Sequence, residues 1–308
     1  MLPDFPEFIP LTIELKDPYN QAISPYTPYS DISFATLQIW WNVSEKLSVS
    51  LLNGNLVIDY NLFHDEDNSG LSLVGKTNVD DAIQKLFEYL KDNQRKQKLV
   101  HIPEFVVIEI KDRSGLEIIE ETDYNEYILD SSAFAALEGP EYKTLRKKIK
   151  RFHRTVENRQ LEIRELDLSL GDIQDQLFKS ISEWQTKNKP ENDPENTEHE
   201  ALTQTFSNAS QLDIKNLAVY VDKELHGFMV YHRPLNKEYY VLHHLKANYE
   251  LPYISDFLHH EVAKKAVSED VKKLNIEMDL GIEKLREHKM TLRPSEVLKK
   301  YTITPVNK

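Results

Sequence analysis

The sequence predicts an α+β protein of two domains, each with a mixed, mostly antiparallel sheet flanked by helices. Three observations carry this reading. The chain has 308 residues, beyond the roughly 100–200 usual for one domain. Its charge is divided: residues 1–135 hold 10 Lys/Arg against 23 Asp/Glu, a net of −13, whereas residues 136–308 hold 28 of each. The shift supports an acidic domain 1–135 and a second domain 136–308. Segments with a helical repeat of apolar residues also alternate with short strand-like runs in both halves.

Composition excludes several classes. Without cysteine there is no disulfide framework, thiol nucleophile or cysteine zinc site. Only 8 residues are glycine, and neither GxGxxG nor GxxxxGK[ST] occurs. No apolar run approaches the length of about 18 residues that spans a membrane, and MLPDFPEFIPLTIELKD lacks the basic and apolar regions of a signal peptide. A cytoplasmic protein is expected. A net charge of −13 argues against wholesale coating of nucleic acid.

In the first half, residues 1–30 are rich in Pro and Tyr and read as an extended, turn-laden entry. Phe34 to Trp41 reads as a short helix, with Trp40 and Trp41 packing the first domain. KLSVSLLNGNLVIDYN is a hairpin with its turn at Asn53-Gly54. NVDDAIQKLFEYLKDNQRKQ is a helix, because Ile83, Leu86, Phe87 and Leu90 share a face. EFVVIEIKD and LEIIEETDYNEYILD read as strands.

The second half opens with YKTLRKKIKRFHR, Tyr142 to Arg154, which holds seven cations and no acid. Leu145, Ile149 and Phe152 recur at i, i+4, i+7 on one helical face. Arg146, Lys147, Lys150, Arg151 and Arg154 fall on the flanks and the opposite face. Such a helix packs by its apolar stripe and offers cations to phosphates; a merely solvated surface is the competing reading. Then come the strand LEIRELD, the amphipathic helix SLGDIQDQLFKSISEWQTKN, the polar loop KPENDPENTEHE and the helix EALTQTFSNAS. NLAVYVDKE, LHGFMVYHRPL and KEYYVLHHLKA form a strand meander, followed by the helix PYISDFLHHEVAKKAVSED, the strand KKLNIEMDLG, the helix GIEKLREHKM and the strand LKKYTITPV. A meander leading into a parallel β–α–β unit is the arrangement of GNAT-like acyltransferases.

Four segments make the second half resemble the C-terminal catalytic domain of bacterial phosphatidylglycerol lysyltransferases. These are LEGPEYKTLRKKIKRF, AVYVDKELHGFMVYHRPL, YYVLHHLKA and MDLGIEKLREHKMTLRPSEVLKKYTI. The last holds Asp279, Gly281, Leu285, Arg286, Lys289, Pro294, Lys300 and Tyr301. PLTIELKD, SDISFATLQIWWNV and NGNLVIDY extend the likeness over nearly the whole chain, and the stand-alone members of the group are the most similar. The resemblance implies two GNAT-like domains, the second with the substrate cleft. It also implies transfer of an amino acid from aminoacyl-tRNA to a lipid, peptide or small-molecule acceptor. No cofactor is expected beyond the donor substrate, which is aminoacyl-tRNA or acyl-CoA. The expected partners are the tRNA acceptor end and a phospholipid headgroup or small molecule. Where the family often has glycine after the YYVLHHLKA strand, this chain reads NYELPYISD.

Aminoacyl transfer needs positioning, an oxyanion stabiliser and a base near neutral pH. His243 and His244 face opposite sides of one strand, so one of them can line the cleft as the base; a structural histidine is the alternative. Asp279 at a strand end can hold a substrate ammonium, while Arg286 and Lys289 on the next helix can take a phosphate or carboxylate. An ion-pair network tying strand to helix is the alternative there. Tyr142 can stack on a base, and with Lys143, Arg146, Lys147, Lys150 and Arg151 it forms the phosphate-facing set; Tyr240 is counted with the substrate wall. His259, His260 and Glu261 are contiguous, a poor spacing for a helical metal site, so no metal is expected. Two other functions compete: an acyl-CoA-dependent N-acyltransferase, disfavoured by the missing loop glycine, and a non-catalytic GNAT-like binding protein.

Overall fold

The computed structural model describes residues 1–41, 47–60, 69–187 and 197–306. Its contacts divide the chain into two units. The first comprises Met1–Glu126, Met278–Ile282 and Val297–Lys308; the second comprises Tyr127–Glu277 and Glu283–Glu296.

The first unit is built on a seven-stranded sheet. Its strands are β1 (Ile9–Pro10), β2 (Leu47–Leu52), β3 (Asn55–Tyr60), β4 (Gly70–Val74), β5 (Leu99–Pro103), β6 (Leu116–Glu120) and β14 (Lys300–Pro305), in the order β1-β2-β3-β4-β5-β14-β6. The β2–β3 hairpin turns at Asn53-Gly54, where φ of 54° and 79° gives the left-handed pair that an Asn-Gly turn favours. The helix Val79–Asp92 buries Ile83, Leu86, Phe87 and Leu90, as the periodicity requires. Trp41 packs edge-on against Tyr60, as expected of it.

Several elements depart from the sequence reading. The entry segment contains a helix, Lys16–Ile23, whose Pro18 sits in the first turn, where its missing N–H costs nothing. EFVVIEIKD is not a strand: Glu104–Val107 is a helical turn, and the strand is the preceding LVHIP. Val106 and Val107 are buried in that turn and Ile110 just after it, so burial overrides the β-branched composition. The C-terminal strand, which the sequence reading assigns to the second domain, inserts between β5 and β6 of the first sheet. There Lys300 is fully buried, its ammonium on Asp31 and 2.8 Å from Glu126.

The second sheet contains β7 (Glu126–Asp130), β8 (Leu161–Arg164), β9 (Ile214–Val221), β10 (Glu224–His232), β11 (Tyr239–Ala247), β12 (Lys273–Asn275) and β13 (Glu296–Leu298), in the order β13-β7-β12-β11-β10-β9-β8. The expected meander is β9-β10-β11, and β12 then pairs parallel to β11. The helix Ile254–Ser268 crosses this sheet. Gly227 on β10 permits the close approach: a Cβ there would lie 3.0 Å from Ile254 and 3.1 Å from Ala247 and Leu258. The basic helix, Lys143–Thr155, packs on the same crossing helix through Phe152, whose ring stacks on Phe257 at 4.0 Å. The stretch expected as a polar loop lies outside the described residues as far as 196; from Thr197 the chain is the helix Thr197–Ser207.

Candidate active site

The second sheet opens at β11. Parallel pairing with β12 is confined to Tyr239↔Lys273, Tyr240↔Leu274 and Val241↔Asn275. From Leu242 onward that edge carries no strand among the described residues, while the other edge stays paired with β10 as far as Ala247. The ladder to β10 slips at the same place: Val230 pairs with His244 but Tyr231 pairs with Leu242. His243 is therefore the extra residue of a β-bulge, a device that takes a residue out of the ladder and re-aims it.

The re-aimed imidazole lies in a chain of three groups. His243 Nδ1 is 3.0 Å from Glu277 Oε1, and His243 Nε2 is 2.7 Å from His232 Nδ1. The two rings stack with centroids 4.8 Å apart. Glu277 follows β12 in the left-handed region, at φ 59°, which is costly for a residue with a side chain. Its turn is tied down from three sides. The Glu277 N–H donates to Asn275 Oδ1 at 2.8 Å, the backbone of Ile276 and Glu277 pairs with Tyr127, and Lys289 Nζ donates to Ile276 O. Burial pushes the His243 imidazole down to about 3, so the ring is neutral at neutral pH.

The bulge also interrupts the strand alternation: Leu242 and Leu245 both pack against the core under the helix Ile254–Ser268, so His243 and His244 share the other face instead of the opposite faces expected. His244 Nε2 is 2.9 Å from Thr205 Oγ1, and that hydroxyl donates to Ala201 O at 2.7 Å. The Thr205 proton is thus spent, so His244 Nε2–H donates. This histidine fastens β11 to the helix Thr197–Ser207 and is not placed as a base. Tyr240 is fully buried, its hydroxyl 2.5 Å from Glu269 Oε2, so it is not a substrate contact. Burial opposes the charge of Glu269, but hydrogen bonds from Tyr240, Lys215 and Lys265 outweigh it and hold that carboxyl at about 2.

The basic helix divides its cations between two jobs. Leu145, Ile149 and Phe152 are buried, as expected. Arg146 binds Leu137 O and Gly139 O, which closes the loop before the helix and removes it from the phosphate set. Lys148 pairs with Asp256 at 2.9 Å, and Arg151 donates to Tyr253 Oη at 3.0 Å. Lys143, Lys147, Lys150 and Arg154 are exposed, and their side chains have no hydrogen bond or ion pair among the described residues. Their spacing of i, i+4, i+7, i+11 makes one stripe about 16 Å long, diametrically opposite the apolar one. Tyr142 is buried and packs edge-on against Phe134 at 6.3 Å, so it offers no stacking platform.

The remaining candidates are placed as follows. Lys289 is buried beneath the Glu277 turn, with its ammonium 6.0 Å from the Tyr127 ring, and so supports the site instead of meeting a phosphate. Arg286 is half-buried on the same helix, Glu283–Thr291. Asp279 is fully buried, and its Oδ1 accepts from Gly281 N at 2.9 Å; it belongs to the first unit, whereas both histidines belong to the second. The structure does not seat it at a strand end, since β12 stops at Asn275. His259 donates to Ser255 O and His260 to Ala135 O, so the two do not converge. Sequence reasoning missed His232 and Glu277. The one visible signal was a histidine on each of two adjacent strands, in VYHRPL and VLHHL.

A model of the phosphatidylglycerol lysyltransferase C-terminal family matches residues 26–304. The chain belongs to this family. Among solved structures, a conserved protein of unknown function from Bacteroides thetaiotaomicron is 20% identical, with TM-score 0.84 over 99% of this chain and 100% of that one. The structure of L-PGS from Bacillus licheniformis is 15% identical, with TM-score 0.59 over 87% of each chain. A tandem GNAT protein from the clavulanic acid biosynthesis pathway is 9% identical, with TM-score 0.51 over 98% of this chain and 99% of that one. At these identities the likeness establishes the fold: this member of the family is a tandem GNAT-like protein. No curated protein matches the chain.

Proposed function

We propose that the second unit is an acyltransferase that moves an amino acid from aminoacyl-tRNA to a hydroxyl- or amine-bearing acceptor, either a phospholipid headgroup, a peptide or a small molecule. The observation that carries this reading is the distribution of charge around the basic helix. A CoA-dependent GNAT enzyme seats pyrophosphate on backbone N–H groups at the start of the helix that follows its fourth strand. In this chain the corresponding helix is Ile254–Ser268, and its first turn holds Asp256, already paired with Lys148. The residue before it, Tyr253, is left-handed at φ 65° and is not glycine. A pyrophosphate would meet a carboxylate there. The unpaired cations lie instead along the solvent face of the basic helix, spaced for the phosphates of a polyanion. Family membership supports the same donor.

The chemistry is attack on an activated ester. The acceptor oxygen or nitrogen bonds to the aminoacyl carbonyl carbon, and the bond to the tRNA ribose oxygen breaks. The open edge of β11 past Val241 offers main-chain groups to the carbonyl, and the imidazole–carboxylate chain lies beside it.

The test is binding of the purified protein to bulk charged tRNA and to acetyl-CoA at several salt concentrations. tRNA binding is expected to weaken with salt. The combined variant Lys147→Ala, Lys150→Ala, Arg154→Ala should reduce the log–log salt slope by about 2–3. Unchanged affinity and slope would sink the tRNA reading; binding of acetyl-CoA alone would favour a CoA donor.

A further inference from the structure

We propose that the chain pairs with a second copy of itself along the free edge of β6, joining two first sheets across a two-fold axis into one continuous sheet. The inference stands apart from the acyl-transfer reading above and does not depend on it.

β6 ends the order of the first sheet, with β14 on one side and no strand on the other among the described residues. An edge strand offers a row of unpaired N–H and C=O groups that template a further strand unless the edge is blunted. The opposite edge is blunted: β1 is two residues long and ends in Pro10. β6 is not. It runs from Leu116 to Glu120, contains neither Pro nor Lys, and pairs with β14 without a bulge.

The ladder shows which groups are free. Glu121 N–H donates to Lys300 O, and Val306 N–H donates to Gly115 O. By alternation, residues 115, 117, 119 and 121 bond toward β14, and Leu116, Ile118 and Glu120 point their main-chain groups outward. Pro305, which has no N–H, duly sits opposite Leu116. Leu116 N–H turns back to Arg113 O, whereas the N–H groups of Ile118 and Glu120 have no partner among the described residues. Leu116 and Ile118 pack toward the core, and Ile119, on the opposite face, is 53% exposed.

The pattern Leu-Glu-Ile-Ile-Glu is complementary to itself in one register. With the axis at Ile118, each Ile118 exchanges both main-chain bonds with the partner's Ile118, and each Glu120 N–H donates to the partner's Leu116 O. Glu117 then lies opposite the partner's Ile119, and Glu120 opposite the partner's Leu116, so no two carboxylates face each other. An axis at Glu117 or Glu120 opposes identical carboxylates, an axis at Ile119 opposes Glu117 to the partner's Glu121, and an axis at Leu116 leaves Ile118 and Glu120 unpaired. A basic foreign strand is the lesser fit, because Glu120 is already held by Asn125 at 2.8 Å and Lys299 at 3.0 Å. The contact is one strand wide, below the area of a tight dimer, so association is weak. Residues 1–135 carry a net charge of −13, so the two acidic units repel and salt strengthens the pairing.

The test is sedimentation velocity of the full chain across a concentration series at about 0.05 M and about 0.5 M NaCl, with amide exchange read at the same concentrations. The dimer should grow with concentration and with salt, and protection of the Ile118 and Glu120 amides should rise with it. Two substitutions at the exposed Ile119 report the register without disturbing the core. Ile119→Glu sets a carboxylate opposite the partner's Glu117 and should weaken association about tenfold; Ile119→Lys sets an ammonium there and should preserve or tighten it. A chain that stays monomeric at about 0.5 mM overturns the proposal. So does a dimer that both substitutions leave unchanged, or one formed without protection of those two amides. If a peptide of alternating lysine and valine protects the same amides on a monomeric chain, the edge receives a foreign strand and the second-copy proposal falls.

Discussion

Lys300 shows how much a single residue carries in the first unit. It is fully buried, and its ammonium answers both Asp31 and Glu126. Burial opposes that charge, but the two carboxylates outweigh it and hold the pKa above its ordinary value. Lys300→Met would leave two carboxylates facing each other in a low dielectric, and urea unfolding should show a loss of about 3–5 kcal/mol. In the second unit, burial is the main force holding His243 and His259 at about 3. The unfolded chain protonates these rings near the ordinary 6.5, so it binds more protons than the fold below that pH. Their contribution is present above about 6.5 and is lost as the pH falls toward 3. Stability by urea titration should therefore decline between pH 7 and pH 5, before most carboxylates titrate, and His259→Gln should flatten that decline. The expectation that His243 and His244 face opposite sides failed, because alternation is a local rule and the bulge that interrupts it is set by pairing with β10. Which of them meets a carboxylate was not readable, because Glu277 lies 34 positions away in the chain.

The basic helix is the element whose two faces were most legible. Its apolar residues recur at helical spacing and are buried, and its cations lie opposite. The faces should separate in experiment. Phe152→Ala removes a ring stacked on Phe257 and should cost about 3–5 kcal/mol. The variant Lys147→Ala with Lys150→Ala should change stability by no more than about 0.5 kcal/mol at each site. What the spacing could not say is which cations are already engaged, since Arg146, Lys148 and Arg151 find partners on other segments. The crossing helix Ile254–Ser268 offers a test of packing: Gly227→Ala would press a methyl onto Ile254, Ala247 and Leu258, and should destabilise by about 1–3 kcal/mol. EFVVIEIKD was misread because a short run of β-branched residues fits a buried helical turn as well as a strand.

At the scale of the whole molecule, the charge asymmetry marks two halves, and the contacts divide the chain at Glu126 and Tyr127. The final strand belongs to the first unit although it ends the second half of the chain: β14 pairs with both β5 and β6, so it is an interior strand of the first sheet. Deleting residues 297–308 should therefore unfold the first unit, seen as loss of amide-exchange protection across β5 and β6. The second unit should keep protection along β9, β10 and β11, which do not pair with that strand. The sequence by itself determined the α+β class, the meander with its parallel return, the hairpin at Asn53-Gly54 and the two faces of the basic helix. These are rules of short spacing, in which each residue's partner lies within a few positions. Only the tertiary structure decided the place of β14, the bulge at His243, the capture of Asp256 by Lys148 and the meeting of His232, His243 and Glu277. Each of those depends on register and pairing between distant segments, which the whole core sets at once.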